Sequence, residues 1–345
     1  MNRPRRILVV YGMSYNPVWM FSQAHSLIKG FIRLGHDVLS FDYDRALRQL
    51  SMFKSKTLSK RLYKSRLDHL LATQIDAYQP DIVLVKFAKA LDAQSITCMR
   101  HAAPKAVYIG VDNDPWPKLQ KNRIETAQQL DILVSKNDGQ WLQDYRDAGV
   151  PLCKFMPDCC DPDVERRYKV GDKWATDILW IGKLNHRANT GYRFRAELVG
   201  TLAKQSNCTL YGCCGRPTIG GMDSLYAISG ARIGVSVNAY SSQTRLSHSN
   251  RLTRFLACGV FVLQKRFSGA ELLFQDDKHL KYFDETDECL ESASWYLDHE
   301  AERRAIADAG MERAHKEFNN IRIAQYILDI IETGSYNAPW TRYCS

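Results

Sequence analysis

Short, continuously apolar runs recur along this chain, each followed by a stretch of helical periodicity, and that alternation leaves few folds open. Arg6 to Tyr11 is a β-rich run ending at Gly12. A loop follows, Met13-Ser14-Tyr15-Asn16-Pro17, and then a stretch from about Val18 to Leu34 whose apolar positions Phe21, Ala24, Leu27, Ile28, Phe31 and Ile32 fall at helical spacing. Gly35 stops that helix, as glycine does when a left-handed residue is needed past the last turn. Asp37–Asp42 reads as the next strand. A strand, a loop, a helix and a strand in this order open a doubly wound parallel sheet. The runs 82–85, 106–111 and 131–135 add strands, and a helix is expected near Gln140–Ala148. Runs apolar at every position fit a sheet covered by helices on both faces.

The series then breaks. Pro151, Pro157 and Pro162 fall within twelve residues, and the expected interdomain linker ends near Lys173. A second α/β series follows, with strands at 177–182, 208–212, 231–237 and 259–263. Its helices are expected near 192–205, 250–257 and 287–297, with further helical signal over 300–316 and 322–331. The expected organisation is an N-terminal Rossmann-like domain over 1–165, a second over 174–320, and a helical tail over 321–345 packing back on the first.

The chain has 345 residues, 45% hydrophobic, long enough to bury a core without disulfide staples. No charge-free apolar run reaches the roughly 18–20 residues of a membrane span. The apolar run after Arg5-Arg6 is too short for a signal-peptide core. The ten cysteines include two vicinal pairs, Cys159-Cys160 and Cys213-Cys214, but no C-x-x-C. Reduced thiols and a cytoplasmic or membrane-peripheral location are expected. The net charge of +9 favours an anionic partner. Between Arg45 and Arg66 stand Arg45, Arg48, Lys54, Lys56, Lys60, Arg61, Lys64 and Arg66 with no acid. This segment reads either as a solvated helical face or as a docking patch for a membrane or an anionic acceptor.

The second half carries more specific text: Ser229–Asn238, then Ser249-Asn250-Arg251-Leu252-Thr253-Arg254-Phe255 leading to Ala257-Cys258-Gly259, then Ser268-Gly269-Ala270-Glu271, Tyr282-Phe283-Asp284 and Glu302–Arg313. With the two-domain outline, this resembles the CgeB-like, "glycosyl transferases group 1" family of GT-B enzymes over about residues 177–330. The first half matches more loosely, in Asp112-Asn113-Asp114-Pro115-Trp116 and Leu152–Pro162. The resemblance implies two Rossmann-like domains facing a cleft. It implies a hexosyl- or pentosyltransferase that needs no metal and no cofactor beyond a nucleotide-diphosphate sugar as co-substrate. The donor would be held by the second domain. The acceptor, a saccharide, glycolipid, polysaccharide or modified base in DNA, would be held by the first. A non-catalytic sugar- or nucleotide-binding protein is the alternative from another class.

On the donor side, the turn Gly182-Lys183 with Arg187 follows a strand end, where a glycine admits a phosphate and basic residues neutralise it. Ser249 and Asn250 are good helix caps, so their helix start would offer free N–H groups to the diphosphate. The resemblance places Arg251 on that diphosphate. Ser268, Gly269 and Glu271 form a second expected helix start near the donor, and Gly212 a turn beside the nucleobase. The sequence departs from the family at Arg254, where the family has a glutamate. The E-x7-E spacing of related enzymes would pair Leu246 with Arg254, and neither is a carboxylate. On the acceptor side Gly12, Tyr15, Asn16 and Trp116 are candidates. Asp112, Asp114 and His25 are candidate general bases, since a carboxylate or imidazole can take the proton of an acceptor hydroxyl. Asp112-Asn113-Asp114 also has D-x-D form, but in the half expected to hold the acceptor. No G-x-G-x-x-G follows Val10, which argues against a dinucleotide oxidoreductase.

Overall fold

The computed structural model describes residues 3–12, 23–86, 91–112, 119–184, 190–238 and 244–343. Two parallel sheets organise them. The first contains β1 (Arg6–Tyr11), β2 (Asp37–Asp42), β3 (Ile82–Lys86), β4 (Val107–Asp112), β5 (Ile132–Ser135) and β6 (Cys153–Phe155), in the order β2-β1-β3-β4-β5-β6. The second contains β7 (Thr176–Ile181), β8 (Cys208–Tyr211), β9 (Ala231–Ser236), β10 (Phe261–Lys265) and β11 (Lys281–Phe283), in the order β11-β10-β9-β7-β8. Counted from the first strand of each series, both sheets follow the pattern 2-1-3-4-5, with β6 added to the first. Each sheet therefore reverses direction once, between β1 and β3 and between β7 and β9.

Helices cover both sheets. In the first lobe these are α1 (Gln23–Arg33), α2 (Tyr43–Leu50), α3 (Lys56–Tyr78), α4 (Ala93–Ala102), α5 (Lys121–Ala127) and α6 (Gln140–Asp147). In the second they are α7 (Thr190–Leu202), α8 (Gly221–Gly230), α9 (Asn250–Ala257), α10 (Ala270–Leu273), α11 (Thr286–Asp298) and α12 (Glu300–Glu317), before a last helix α13 (Asn320–Thr333). Ile7, Val9, Val83 and Val85 have no exposed surface, as central strands covered on both faces require. The edge strand β2 is partly exposed along its length. Two edge strands lay outside the sequence expectation, β6 and β11. Each has three residues, too few to show a periodicity of its own.

The chain crosses between the lobes twice, and the crossings are tied together. Cys160 N–H donates to the Phe318 carbonyl and Asn320 N–H to the Cys160 carbonyl, both at 2.8 Å. α13 then lies on α1. At Gly30 of α1 a Cβ would stand 2.3 Å from the Asn320 carbonyl oxygen, so only glycine allows that approach. The Asn320 side chain donates to the Ser26 carbonyl in the same contact. Beyond α13, Trp340 is fully buried, stacked 4.8 Å from Phe318, and the Tyr336 hydroxyl donates to the Phe155 carbonyl of β6. Among the described residues no helix is long and apolar enough to cross a membrane.

Candidate functional site

In open α/β sheets, ligands bind beyond the carboxyl ends of the strands at the point where strand order reverses. In the second lobe that point lies between β7 and β9, and a cavity of about 300 Å³ occupies it. Its polar wall is Gly182, Arg195, Ser249, Asn250 and Arg251, and its apolar wall includes Ile219, Leu225, Ile228 and Phe255. The N-termini of α8, at Gly220-Gly221, and of α9, at Ser249-Asn250, both open into it. Unsatisfied helix N–H groups make such ends favourable for anions.

Two arginines dominate the cavity. Trp180 of β7 is buried, and the Arg251 guanidinium carbon stands 4.2 Å from its ring centre, that of Arg195 5.0 Å. Both guanidinium groups converge over Gly182. A Cβ there would lie 2.7 Å from Nη2 of Arg195 and 3.1 Å from Nη1 of Arg251, so the glycine makes room for both. Arg251 Nη2 donates to the Val237 carbonyl at 3.2 Å. Its Nε and Nη1, and Nε of Arg195, are sealed from solvent without a hydrogen-bond partner among the described residues. Burial, and then the neighbouring Arg195 charge, hold the basicity of Arg251 well below its ordinary value. Burial lowers that of Arg195 too. Two like charges in a confined space, with orphaned donors, form a receptor for an anion. The Ser249 hydroxyl is likewise buried without a partner among the described residues.

The cavity wall also includes a carboxylate brought from outside its own sheet, but it is committed to a different arginine. Glu165, in the crossing between lobes, accepts from Arg254 Nε of α9 at 2.6 Å and from the Asp161 N–H at 2.9 Å. The cation that stands where the resembled family has a glutamate is thereby matched across the wall. Sequence spacing gave no hint of this pair, whose members are 89 residues apart. Arg195 was also missed: it sits on α7 among ordinary helical residues, and only the fold turns it over Trp180.

Several expected donor residues fall elsewhere. Ser268, Gly269 and Glu271 do not line this cavity. The Ser268 carbonyl accepts from the Leu246 N–H, and α10 is a single turn of four residues. Glu271 accepts from Arg266 at 2.8 Å and from the Asp276 N–H at 3.0 Å, in an exposed ion-pair network. Gly212 lies against Gly182, and Lys183 is exposed and not among the residues lining the cavity. Arg187 lies outside the described residues.

In the first lobe Asp112 ends β4 with no exposed surface. Its carboxylate accepts from Arg123 at 2.5 Å, from Trp141 Nε1 at 2.8 Å and from the Tyr145 hydroxyl at 3.3 Å. A carboxylate so saturated and enclosed holds the β4–α5–α6 framework and is poorly disposed to take a proton from an incoming hydroxyl. Asp114, Tyr15, Asn16 and Trp116 lie outside the described residues. Gly12 follows β1 directly. His25 is exposed on α1, with Nε2 3.3 Å from the Tyr11 hydroxyl and its ring edge-on to that tyrosine. At the same carboxyl edge Lys136 pairs with Asp158 and with Gln23, and Lys86 reaches Gln23 at 3.5 Å. The two lobes meet across the cleft at Asp138 and Arg245. They exchange backbone hydrogen bonds of 2.8 and 3.2 Å and form a 2.9 Å ion pair. Among the described residues no cluster of His, Cys, Asp or Glu is placed to hold a metal ion.

Comparison with known proteins places this geometry in context. A family model described as "Glycosyl transferase-like" matches residues 179–329, the stretch that supplies every residue lining the cavity except Glu165. An alpha-glucosyltransferase solved with UDP and a 13-mer DNA containing a HMU base superposes with a TM-score of 0.68 at 12% identity, over 96% of this chain and 100% of that one. Anabaena HepE in complex with UDP-glucose superposes at 0.64 and 11% identity, over 95% and 100%. A glycosyltransferase from Rickettsia africae superposes at 0.62 and 12% identity, over 96% and 98%. The chain has the GT-B fold. A curated protein, one of the subunits of an aspartyl/glutamyl-tRNA(Asn/Gln) amidotransferase from Roseiflexus, is 32% identical over 78 residues. That match spans 22% of this chain and 16% of the relative, too little of either to bear on function.

Proposed function

We propose that this GT-B chain is a glycosyltransferase that takes a sugar from a nucleotide-diphosphate donor and passes it to an acceptor hydroxyl. The observation that carries the reading is the convergence of Arg195 and Arg251 over Gly182, with donors unpartnered, between two helix N-termini. A diphosphate supplies the missing anion. The apolar side, with Leu225, Ile228 and Phe255, suits a nucleobase. During transfer the bond between the anomeric carbon and the diphosphate oxygen breaks, and negative charge grows on the leaving oxygen. Preorganised cations and amide dipoles aimed at that oxygen stabilise it without a metal. Superposable structures solved with UDP or UDP-glucose support the same donor class. The acceptor enters from the first lobe. The test is titration of UDP and other nucleoside diphosphates by calorimetry, followed by assays of donor hydrolysis and transfer. Tight binding with neither hydrolysis nor transfer to any acceptor would make the chain a nucleotide-sugar-binding protein instead.

A second reading takes the acceptor hydroxyl from a modified base in DNA. It is favoured by the net charge of +9 and by likeness to an enzyme solved with DNA containing a HMU base. Duplexes with and without a hydroxymethylated base, offered with the donor that binds, test it directly.

A further inference from the structure

We propose that the N-terminal end of α3 and the loop before it form a docking surface for an anionic lipid bilayer. Four large apolar side chains stand exposed within eleven residues: Met52 (86%), Phe53 (43%), Leu58 (44%) and Leu62 (58%). Water-facing apolar groups at this density mark a binding surface more often than chance. They are held there by construction. The Ser51 hydroxyl accepts from the Phe53 N–H at 3.0 Å and pairs with the Ser59 hydroxyl at 2.7 Å. The Ser59 hydroxyl in turn lies 3.2 Å from the Phe53 carbonyl. The loop backbone is therefore fixed, with Met52 pointing outward. Leu58 and Leu62 are four residues apart and share a face of α3, while Leu67, Leu71 and Ile75 pack its other face into the core.

Cations flank this apolar strip. Arg48, Lys54, Arg61 and Arg66 are exposed, and none enters an ion pair among the described residues. Two lysines of the segment serve the fold. Lys64 bonds Asp68 at 2.6 Å and Asp92 at 2.9 Å, and Lys60 approaches Asp92 at 3.9 Å. The basic segment is thus divided. Two of its charges are paired within the lobe, and the exposed ones share the segment with the protruding apolar groups.

That combination selects the partner. A nucleic-acid backbone is bound by cations and gains nothing from protruding Met and Leu side chains. A bilayer interface takes both, the apolar groups entering the acyl boundary and the cations meeting anionic headgroups. The surface lies beside Asp92, which caps α4 just beyond the carboxyl end of β3, the edge on which the cleft opens. A docked chain would hold that edge near the lipid. Docking on lipid needs no catalytic activity, so it stands or falls apart from the proposed function.

The test is co-sedimentation of the full chain with phosphatidylcholine vesicles, with and without about one-third phosphatidylserine, at low and high salt. Binding should require phosphatidylserine and weaken with salt. Met52→Ser and Leu62→Ser should each lower it about tenfold, as burial of such side chains predicts. Arg61→Gln with Arg66→Gln should lower it to a similar extent, and all variants should keep the parental melting temperature. Three results would overturn the proposal. One is no phosphatidylserine-dependent binding. A second is duplex DNA bound through the arginines, with vesicle binding indifferent to Met52 and Leu62. The third is a concentration-dependent dimer abolished by Leu62→Ser, which would make the face a contact between copies.

Discussion

Arg251→Met separates a binding role from a structural one with unusual sharpness, because the two predict opposite signs. Methionine keeps an apolar stem against Trp180 but removes the charge. In the free protein, Arg251 makes one hydrogen bond among the described residues, to the Val237 carbonyl, and leaves Nε and Nη1 buried and unsatisfied beside a second cation. Each buried unsatisfied group costs about 1–3 kcal/mol. Loss of the Val237 bond returns about 1 kcal/mol of that, and loss of the Trp180 contact up to about another 1–2 kcal/mol. The balance favours the variant by about 1 kcal/mol, or about 2–4 °C in melting temperature for a lobe of this size. In the complex the same groups face a diphosphate, where a charge-assisted bond is worth about 1.5–3 kcal/mol, so UDP affinity should fall about tenfold to a hundredfold. Calorimetry reads the affinity, and scanning fluorimetry with and without UDP reads the stability. A variant that melts earlier and binds UDP as well as the parent would show that Arg251 is a packing residue, and the assignment of the cavity would fail with it.

Further outcomes follow from the same geometry. Gly182→Ala should displace both guanidinium groups and weaken UDP binding about tenfold, since its Cβ would stand 2.7 Å from Arg195 Nη2; unchanged affinity would show that the two arginines need not converge. Glu165→Gln should destabilise the chain by about 2–4 kcal/mol, measured by urea unfolding, because it removes the carboxylate charge that Arg254 meets at 2.6 Å on the cavity wall; a loss below about 0.5 kcal/mol would reduce the pair to an ordinary surface contact. His248 and His279 are buried and pushed down to about 4, by burial in both cases. The unfolded chain therefore binds more protons than the folded one between about pH 6.5 and 4, so stability is full above that window and lost as pH falls through it. His248→Leu should flatten the acid slope, and a slope identical to the parent's would assign it to other groups. Transfer activity should survive EDTA, given cations and helix ends to neutralise the diphosphate; activity lost in EDTA and restored by Mg²⁺ or Mn²⁺ would redirect attention to Asp112-Asn113-Asp114.

The alternation of apolar runs made the two parallel sheets legible because central strands write their burial into every residue: β1, β3, β4 and β5 are apolar nearly throughout. Edge strands do not, and the three-residue β6 and β11 owe their pairing to neighbours rather than to their own pattern. In the site, Gly182 and Arg251 were readable from position, one after a strand and one at a helix start. Arg195 was not, since nothing in a helical sequence tells which turn will face a distant tryptophan. The Arg254–Glu165 pair was invisible for a related reason. In one dimension Arg254 reads as an unmatched cation, but in three Glu165 arrives from the crossing segment to pair with it. The basic run from Arg45 to Arg66 was legible as charge but not as role. Folding consumes Lys64 in pairs with Asp68 and Asp92, and exposes Met52 and Leu62, which no charge count registers.

The two sheets share one strand order, so each has a reversal point fit to receive a ligand, yet their electrostatics differ. At the carboxyl edge of the first, lysines among the described residues are already engaged: Lys136 pairs with Asp158, and Gln23 links both to Lys86. At the second, between β7 and β9, two guanidinium groups crowd together with donors unsatisfied. An anion gains little at a site whose cations are matched and much where they repel one another. On the proposed function, matching charge in one lobe and leaving it unmatched in the other would sort the two substrates of the transfer. A diphosphate would then be drawn to the second lobe, and the first left for a partner recognised by something other than its negative charge at the strand ends. If the start of α3 docks on an anionic bilayer as proposed, its cations and apolar side chains would hold that lobe's strand ends near the lipid surface.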